Sequence, residues 1–343
     1  NSKGPDKVEA NLYLGQSLML KTPTAPKDAE YAFETGLKAM GFAKSGFIII
    51  NRKWDKKSVT QWLEKEENKK RAQLAADVFI GLLESTYLQG DWESVVGKVN
   101  AFEGLIKGSR VEQRARVLTG EAHTKSENYK EASVAYEAAV TLKGTDASEA
   151  LFRLGLIRLN NLKDYDAAAK NFNAFASNFK SDTKQPDATF NEALCYFQSY
   201  HAEKKKPHRA KAIELFDGFA RANSKHKMAN TARYYIGQLE HDREDWMATV
   251  KALEPLMKGD GNQAFGQLVF LVADSYHRLK NWEKSAELYM KFAKGNEMGL
   301  NADVALHNAG VSYSSLKNPA TEKAVAAYKL LDSKCPRSPH LPS

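Results

Sequence analysis

An all-α fold, a solenoid of antiparallel helix pairs in about seven to nine repeats, is what this sequence predicts, on three observations. A pattern of apolar positions recurs seven times along the chain. A small residue recurs in phase upstream of that pattern. Charges of both signs, 27% of the 343 residues, are mixed from end to end, as amphipathic helices with solvated outer faces require.

The recurring pattern is an anchor residue, a small residue three later, a bulky one at seven and another at ten. It reads clearly as Tyr129-Ala132-Tyr136-Ala139, as Tyr165-Ala168-Phe172-Phe175 and as Trp282-Ser285-Tyr289-Phe292. Weaker copies are Trp92-Val95-Val99-Phe102, Arg209-Ala212-Phe216-Phe219, Trp246-Thr249-Leu253-Leu256 and Thr321-Ala324-Tyr328-Leu331. Offsets of three, seven and ten share one face of a 3.6-residue helix, which makes each copy the inner face of a helix B. The tryptophan anchors Trp92, Trp246 and Trp282 are expected in the core.

A second amphipathic segment, helix A, precedes each anchor. Gly120, Gly237 and Ala273 stand nine residues before their anchors, Gly155 ten and Gly310 eleven. Glycine inside a helix costs roughly 1 kcal/mol against alanine, so its return in phase predicts close helix–helix approach. Short polar turns such as Lys125-Ser126-Glu127-Asn128 and His241-Asp242-Arg243-Glu244-Asp245 then join A to B. The run Gly259-Asp260-Gly261 to Gly266 follows a helix, and reads as a turn between repeats with Asn262 as an N-cap, not as a phosphate loop.

With these residues in place the chain resembles the tetratricopeptide repeat family over about residues 71–336. The best unit reads Ala150-Leu151-Phe152-Arg153-Leu154-Gly155, then Asp164-Tyr165-Asp166-Ala167-Ala168, then Phe172. The period exceeds the family's usual 34 residues, and regular repeat-end prolines are missing. The resemblance implies a protein-binding groove lined by helix A. Its positions here are Tyr87, Glu121, Lys125, Tyr196, Tyr200, Tyr234, Gln238, His241, Phe270, Asp274, His277 and Arg278, with Glu84 and His307 beside them. A subset of the family clamps a C-terminal carboxylate with Lys, Asn and Arg. The matching positions carry Val117, Glu121 and Thr124, then Phe152, Leu156 and Leu159, so that clamp is not expected. The junction Phe179-Lys180-Ser181-Asp182 through Pro186-Asp187-Ala188 resembles bacterial envelope repeat proteins, namely outer-membrane assembly lipoproteins and Tol–Pal coordinators.

Residues 1–40 read as one more, divergent helix pair around Leu14-Gly15, Ala29 and Phe33. Residues 41–70, with Gly46, Ile48-Ile49-Ile50, Trp54 and Trp62, read as a degenerate repeat or an insertion, and 337–343 as a disordered tail. The chain begins at Asn1 rather than a methionine, which reads as a processed or trimmed chain. No run of about 18 apolar residues occurs, so no membrane span is expected. The two cysteines form neither a metal motif nor a disulfide framework, and Cys195 is expected in the core. No two histidines stand four apart as helix ligands do, so no metal or cofactor is expected. Phosphate-loop, zinc-protease, serine-hydrolase and kinase signatures are missing. The reading is a non-enzymatic scaffold that binds a partner protein or peptide as part of a bacterial envelope assembly. The net charge of +8 supports one alternative, a nucleic-acid-binding solenoid. The other is a helical accessory domain of a larger enzyme.

Overall fold

The computed structural model describes residues 5–21, 24–42, 44–45, 53–142, 144–258, 266–295 and 301–341. The chain divides into two units, Asn1–Ala188 and Thr189–Ser343. In the first, α1 (Pro5–Met19) and α2 (Pro26–Ala39) are followed by a small ribbon, β1 (Lys44–Ser45) antiparallel to β2 (Lys53–Trp54). Then come α3 (Lys56–Glu64), α4 (Glu66–Lys69), α5 (Ala72–Leu88), α6 (Trp92–Ile106), α7 (Glu112–Lys125), α8 (Tyr129–Thr141), α9 (Ala147–Ile157) and α10 (Tyr165–Asn178). Helix α11 (Gln185–Glu203) opens the second unit. It is followed by α12 (Lys206–Ala222), α13 (Ala229–Asp242), α14 (Trp246–Leu253), α15 (Leu268–Arg278), α16 (Trp282–Gly295), α17 (Ala302–Ser314) and α18 (Thr321–Lys334). Within each unit the A and B helices alternate and pack on their sequence neighbours, which is the α-solenoid architecture.

The in-phase small residues make the pairs. A Cβ added to Gly120 would lie 2.8 Å from the Tyr136 ring, and one added to Gly155 2.8 Å from the Phe172 ring. At Gly310 it would lie 2.5 Å from the Tyr328 ring, and at Gly237 it would run into Leu253. Tyr136, Phe172, Leu253 and Tyr328 are the positions seven residues into their helices B. The N-terminal pair uses the same device doubled, because the Phe33 ring fills the space of a Cβ on both Gly15 and Gly81.

The A-to-B turns share a backbone as well. Gly90, Glu127, Lys163, Glu244 and Lys280 all have positive φ, between 57° and 78°. Each is followed by Asp or Asn and then by the aromatic anchor: Asp91-Trp92, Asn128-Tyr129, Asp164-Tyr165, Asp245-Trp246, Asn281-Trp282. The left-handed residue lets the next N–H turn back onto the end of helix A. Asn128 N–H donates to the His123 carbonyl at 2.9 Å, Asp245 to Glu240 at 3.0 Å and Asn281 to Tyr276 at 2.9 Å. The following carboxylate caps helix B: Asp91 accepts from the Ser94 N–H, Asp164 from Ala167 and Asp245 from Ala248. The α9 turn is wider, through a π turn at Arg158–Leu162. Pro255, lacking an N–H, tightens the end of α14 into the 3₁₀ turn Glu254–Met257.

Residues 53–69 build onto α6. Phe42 lies 4.6 Å from Trp62 and 5.4 Å from Phe102, and Trp54 lies 5.2 Å from Phe102, so these rings roof a helix-B side chain. Trp62 Nε1 donates to the Met40 carbonyl at 2.7 Å. Gly46, Ile48–Ile50 and Asn262 lie outside the described residues. Beyond α18, Ser338 Oγ donates to Asp303 at 2.8 Å and Leu341 packs on the α16–α18 core, so residues up to 341 of the expected tail lie against the helices. Cys195 is buried. The tryptophan anchors depart from expectation: Trp92, Trp246 and Trp282 are only half-buried, because the first residue of helix B sits at the turn and the core is reached three, seven and ten residues later.

Two stability predictions follow from this geometry. Gly155→Ala and Gly237→Ala should lower stability by up to ~2 kcal/mol, since overpacking of ~1–3 kcal/mol outweighs a propensity gain of ~1. Gly97→Ala and Gly218→Ala, where nothing lies within 4 Å of the added carbon, should raise it by up to ~1 kcal/mol. At the turns, Glu244→Gly and Lys280→Gly should each stabilise by roughly 0.5–1 kcal/mol through relief of a left-handed side chain, and Gly90→Ala should cost about 1 kcal/mol. Urea unfolding of the single variants checks both sets.

Candidate partner-binding face

In the second unit the register of helix A is set by Ser199, Gly237, Ala273 and Gly310. Three residues before each stand Tyr196, Tyr234, Phe270 and His307, a row of rings with one ring on each successive helix A. All four are half-buried. Each is held along one flank: Tyr196 meets His208 edge-on at 5.5 Å, and Tyr234 packs on the Val250–Leu268 core. Phe270 contacts Tyr289 and Phe292, and His307 contacts Tyr328.

The residues one position after the small residue behave differently. Tyr200 is buried, with Lys204 and Arg209 over its ring at 5.2 and 5.5 Å. Gln238 donates to the Tyr234 hydroxyl at 3.4 Å. Asp274 is buried and bound on both oxygens, by His241 Nε2 at 2.9 Å and by the Tyr289 hydroxyl at 3.0 Å. Burial works to raise the Asp274 pKa. The hydrogen bonds from His241 and Tyr289, with the charges of His241 and Arg278, outweigh it and hold the carboxyl below its usual range. Tyr289 accepts in turn from Asn308 at 3.2 Å, so the chain His241–Asp274–Tyr289–Asn308 runs through α13, α15, α16 and α17.

His241 and His277 lie edge-on to Trp246 and Trp282, each at 5.1 Å, and Tyr87 meets Trp92 in the same way in the first unit. These contacts cross the A-to-B turns. His277 Nδ1 pairs with Ser312 Oγ at 3.0 Å, and Ser312 meets Ser285 at 3.1 Å. Burial pushes the His277 pKa down. Arg278 stays 58% exposed on its side chain, 3.9 Å from Asp274 and 5.6 Å from the Trp246 ring.

In the first unit the helix-A face is a ladder of ion pairs between successive repeats. Asp77 pairs with Arg110 at 2.5 Å, Glu84 with Arg114 at 2.9 Å and Glu121 with Arg153 at 4.0 Å, while Glu149 holds both Arg153 and Lys184. Tyr87 donates to Glu121, and burial together with the Glu121 charge pushes its pKa up to about 12. Lys125 is exposed at the end of α7. So Tyr87 and Glu121 are joined, as are Tyr234 with Gln238 and His241 with Asp274. Tyr200 is turned into the core. The ladder partners Arg114, Arg153, Tyr289, Asn308 and Ser312 were not among the expected residues. Their signal is an offset about one helical turn short of the repeat, such as 30 residues for Glu84–Arg114 and 33 for His241–Asp274. No group of three or more His, Cys, Asp or Glu able to hold a metal occurs among the described residues. No described helix is long and apolar enough to cross a membrane.

Paired helices in register, with side chains aligned along the A face, define a helical-repeat scaffold. Residues 149–181, which hold Gly155 and Phe172, match the family model described as tetratricopeptide repeat, and the chain is a tetratricopeptide-repeat protein. No curated protein matches it in sequence. Among solved structures, one from the Naa15/Naa10 complex bound to HypK-THB is similar at TM-score 0.51 and 16% identity over 83% of this chain, which spans 40% of that one. The C-terminal part of a TPR repeat-containing protein from Cytophaga hutchinsonii is similar at TM-score 0.50 and 14% identity, over 76% of this chain and 96% of that one. PilW, a type IV pilus biogenesis factor, aligns at TM-score 0.41 and 15% identity over 67% of this chain and 96% of its own. The first two likenesses are of fold alone.

The depressed pKa of His277 gives a pH dependence. Its folded form stays neutral where the unfolded chain takes up a proton, so its contribution is complete above about pH 6.5 and is lost as pH falls toward the folded value. Stability should therefore decline from pH 7.5 to 5.5, with a slope from this group below the one-proton limit of about 1.4 kcal/mol per pH unit. His277→Gln should flatten that part of the profile, read from denaturation midpoints at matched ionic strength.

Proposed function

We propose that this protein is a non-enzymatic adaptor that holds a segment of a partner protein on the helix-A face of its second unit, as a subunit of a bacterial envelope assembly. The observation that carries the reading is the row Tyr196, Tyr234 and Phe270. Half-buried rings offer contact area with little left to immobilise, which is the property of interface hot spots. The carboxylate beside them, Asp274, is already satisfied within the fold, so it needs no ligand. Arg278 and Lys125 leave exposed cations at the edge of the A faces. The envelope placement rests on the junction around Phe179–Ala188 and is the finer part of the proposal.

The test is capture from native bacterial envelope extracts on the immobilised chain. The same partner should be recovered with wild type and with Tyr31→Ala, a ring 73% exposed in the first unit. Tyr196→Ala combined with Tyr234→Ala should weaken recovery by at least about thirtyfold, the effect of one hot spot of ~2 kcal/mol. Undiminished recovery with the double variant overturns the groove. A partner found only in the soluble cytoplasmic fraction overturns the envelope role.

A further inference from the structure

The second unit also contains a cavity away from the aromatic row, between α16, α17 and α18. Its volume is about 290 Å³. Met290, Leu306 and Leu330 give it an aliphatic wall, and no aromatic ring lines it. Lys294 and Lys334, both exposed, stand among its lining residues in the last turns of α16 and α18, and Cys335 follows at the end of α18. The polar row described above is carried by the register positions of helix A. This cavity instead lies between two successive B helices near their C-terminal ends.

Three features restrict what fits. The wall is aliphatic, so a flat, hydrogen-bonding base or sugar finds few partners. The volume is about twice the ~150 Å³ apolar cavity that takes one benzene ring, and lies at the small end of the ~300–1,000 Å³ range of ligand sites. That suits a single chain of medium length. Two ammonium groups on the rim favour a negative head, and their methylene stems extend the apolar wall. We propose that this cavity binds a free medium-chain carboxylate, its tail against Met290, Leu306 and Leu330 and its head between Lys294 and Lys334.

The full-length chain can be titrated with decanoate, with decanol and decyltrimethylammonium as the neutral and cationic counterparts. Cys335 supplies a local readout. Its thiol is partly exposed whereas Cys195 is buried, and burial together with Asp303 raises the Cys335 pKa, so alkylation is followed at mildly alkaline pH. Decanoate should slow Cys335 alkylation at least fivefold at saturation, with a calorimetric midpoint below its micelle-forming concentration. Lys294→Glu with Lys334→Glu should weaken decanoate at least tenfold while leaving the helical spectrum unchanged. Ala293→Leu, which narrows the cavity without altering charge, should weaken it too. Equal protection by decanol or by the cationic amphiphile overturns the assignment, as does decanoate binding that the lysine variants leave intact. Self-association through this face with no decanoate binding overturns it as well. None of these outcomes depends on Tyr196 or Tyr234, so the proposal fails or stands separately from the partner groove.

Discussion

A ring seated on a residue without a side chain is the contact on which the helix pairs depend. Gly120 under Tyr136, Gly155 under Phe172 and Gly310 under Tyr328 bring two helix axes closer than any Cβ permits. The helix gives up roughly 1 kcal/mol of propensity at each glycine. It gains complete burial of the ring at Tyr136 and Phe172, at ~1.5–3 kcal/mol for a large apolar side chain, and so the exchange is favourable. Ala273 opposite Tyr289 shows how much latitude exists, since a methyl is tolerated where the partner ring is also positioned by Asp274 and Asn308. Once the pair is fixed, the length and backbone of the turn are fixed too. The left-handed residue, the capping carboxylate and the half-buried aromatic anchor then recur together.

Pairs alone do not stack in register, and the polar contacts on the helix-A faces supply that. In the first unit the register is written in ion pairs: Asp77–Arg110, Glu84–Arg114, Glu121–Arg153. These are partly exposed, and each is worth at most about 1 kcal/mol. Their value lies in direction, because a slipped register would set carboxylate against carboxylate. In the second unit the same task falls to a buried carboxylate with neutral donors. Asp274 engages His241 and Tyr289, and the hydroxyls of Ser285 and Ser312 complete the neighbouring contact with His277. A buried carboxylate without those donors would carry a penalty of several kcal/mol, so this arrangement accepts fewer alternatives than the ion-pair ladder.

The fold was legible because its signals are periodic. A ring at seven and a glycine nine to eleven residues upstream of the anchor can be counted along a single sequence, and the structure joins those two residues in space. The tryptophan anchors misled because an aromatic at the correct phase reads as core. Phase gives the face of a helix but not the distance from its end, and Trp92, Trp246 and Trp282 are first residues. The A-face residues were legible as a set and not as individuals. Family register places Glu121 and Asp274 on that face correctly. It does not reveal that a neighbour one turn short of the repeat already occupies them, which requires the stacking offset. Tyr200 illustrates the same limit: it shares a face with Tyr196, but Lys204 and Arg209 close over it.

These distinctions decide what kind of recognition the A face can perform. A face whose charges are spent on holding repeats together has little electrostatic specificity left to offer a partner. In the first unit that is the case for Glu84, Glu121 and Glu149, each already engaged with an arginine or lysine. In the second unit the acidic group is buried and satisfied, while the rings of Tyr196, Tyr234 and Phe270 keep a flank in solvent. Displacing water from such rings is favourable without breaking any internal ion pair, whereas docking on the first face would have to compete with the ladder. The same sequence family register therefore yields a structural face in one unit and a receptive face in the other. The difference comes from aromatic rather than ionic residues at the positions three before the in-phase small residue.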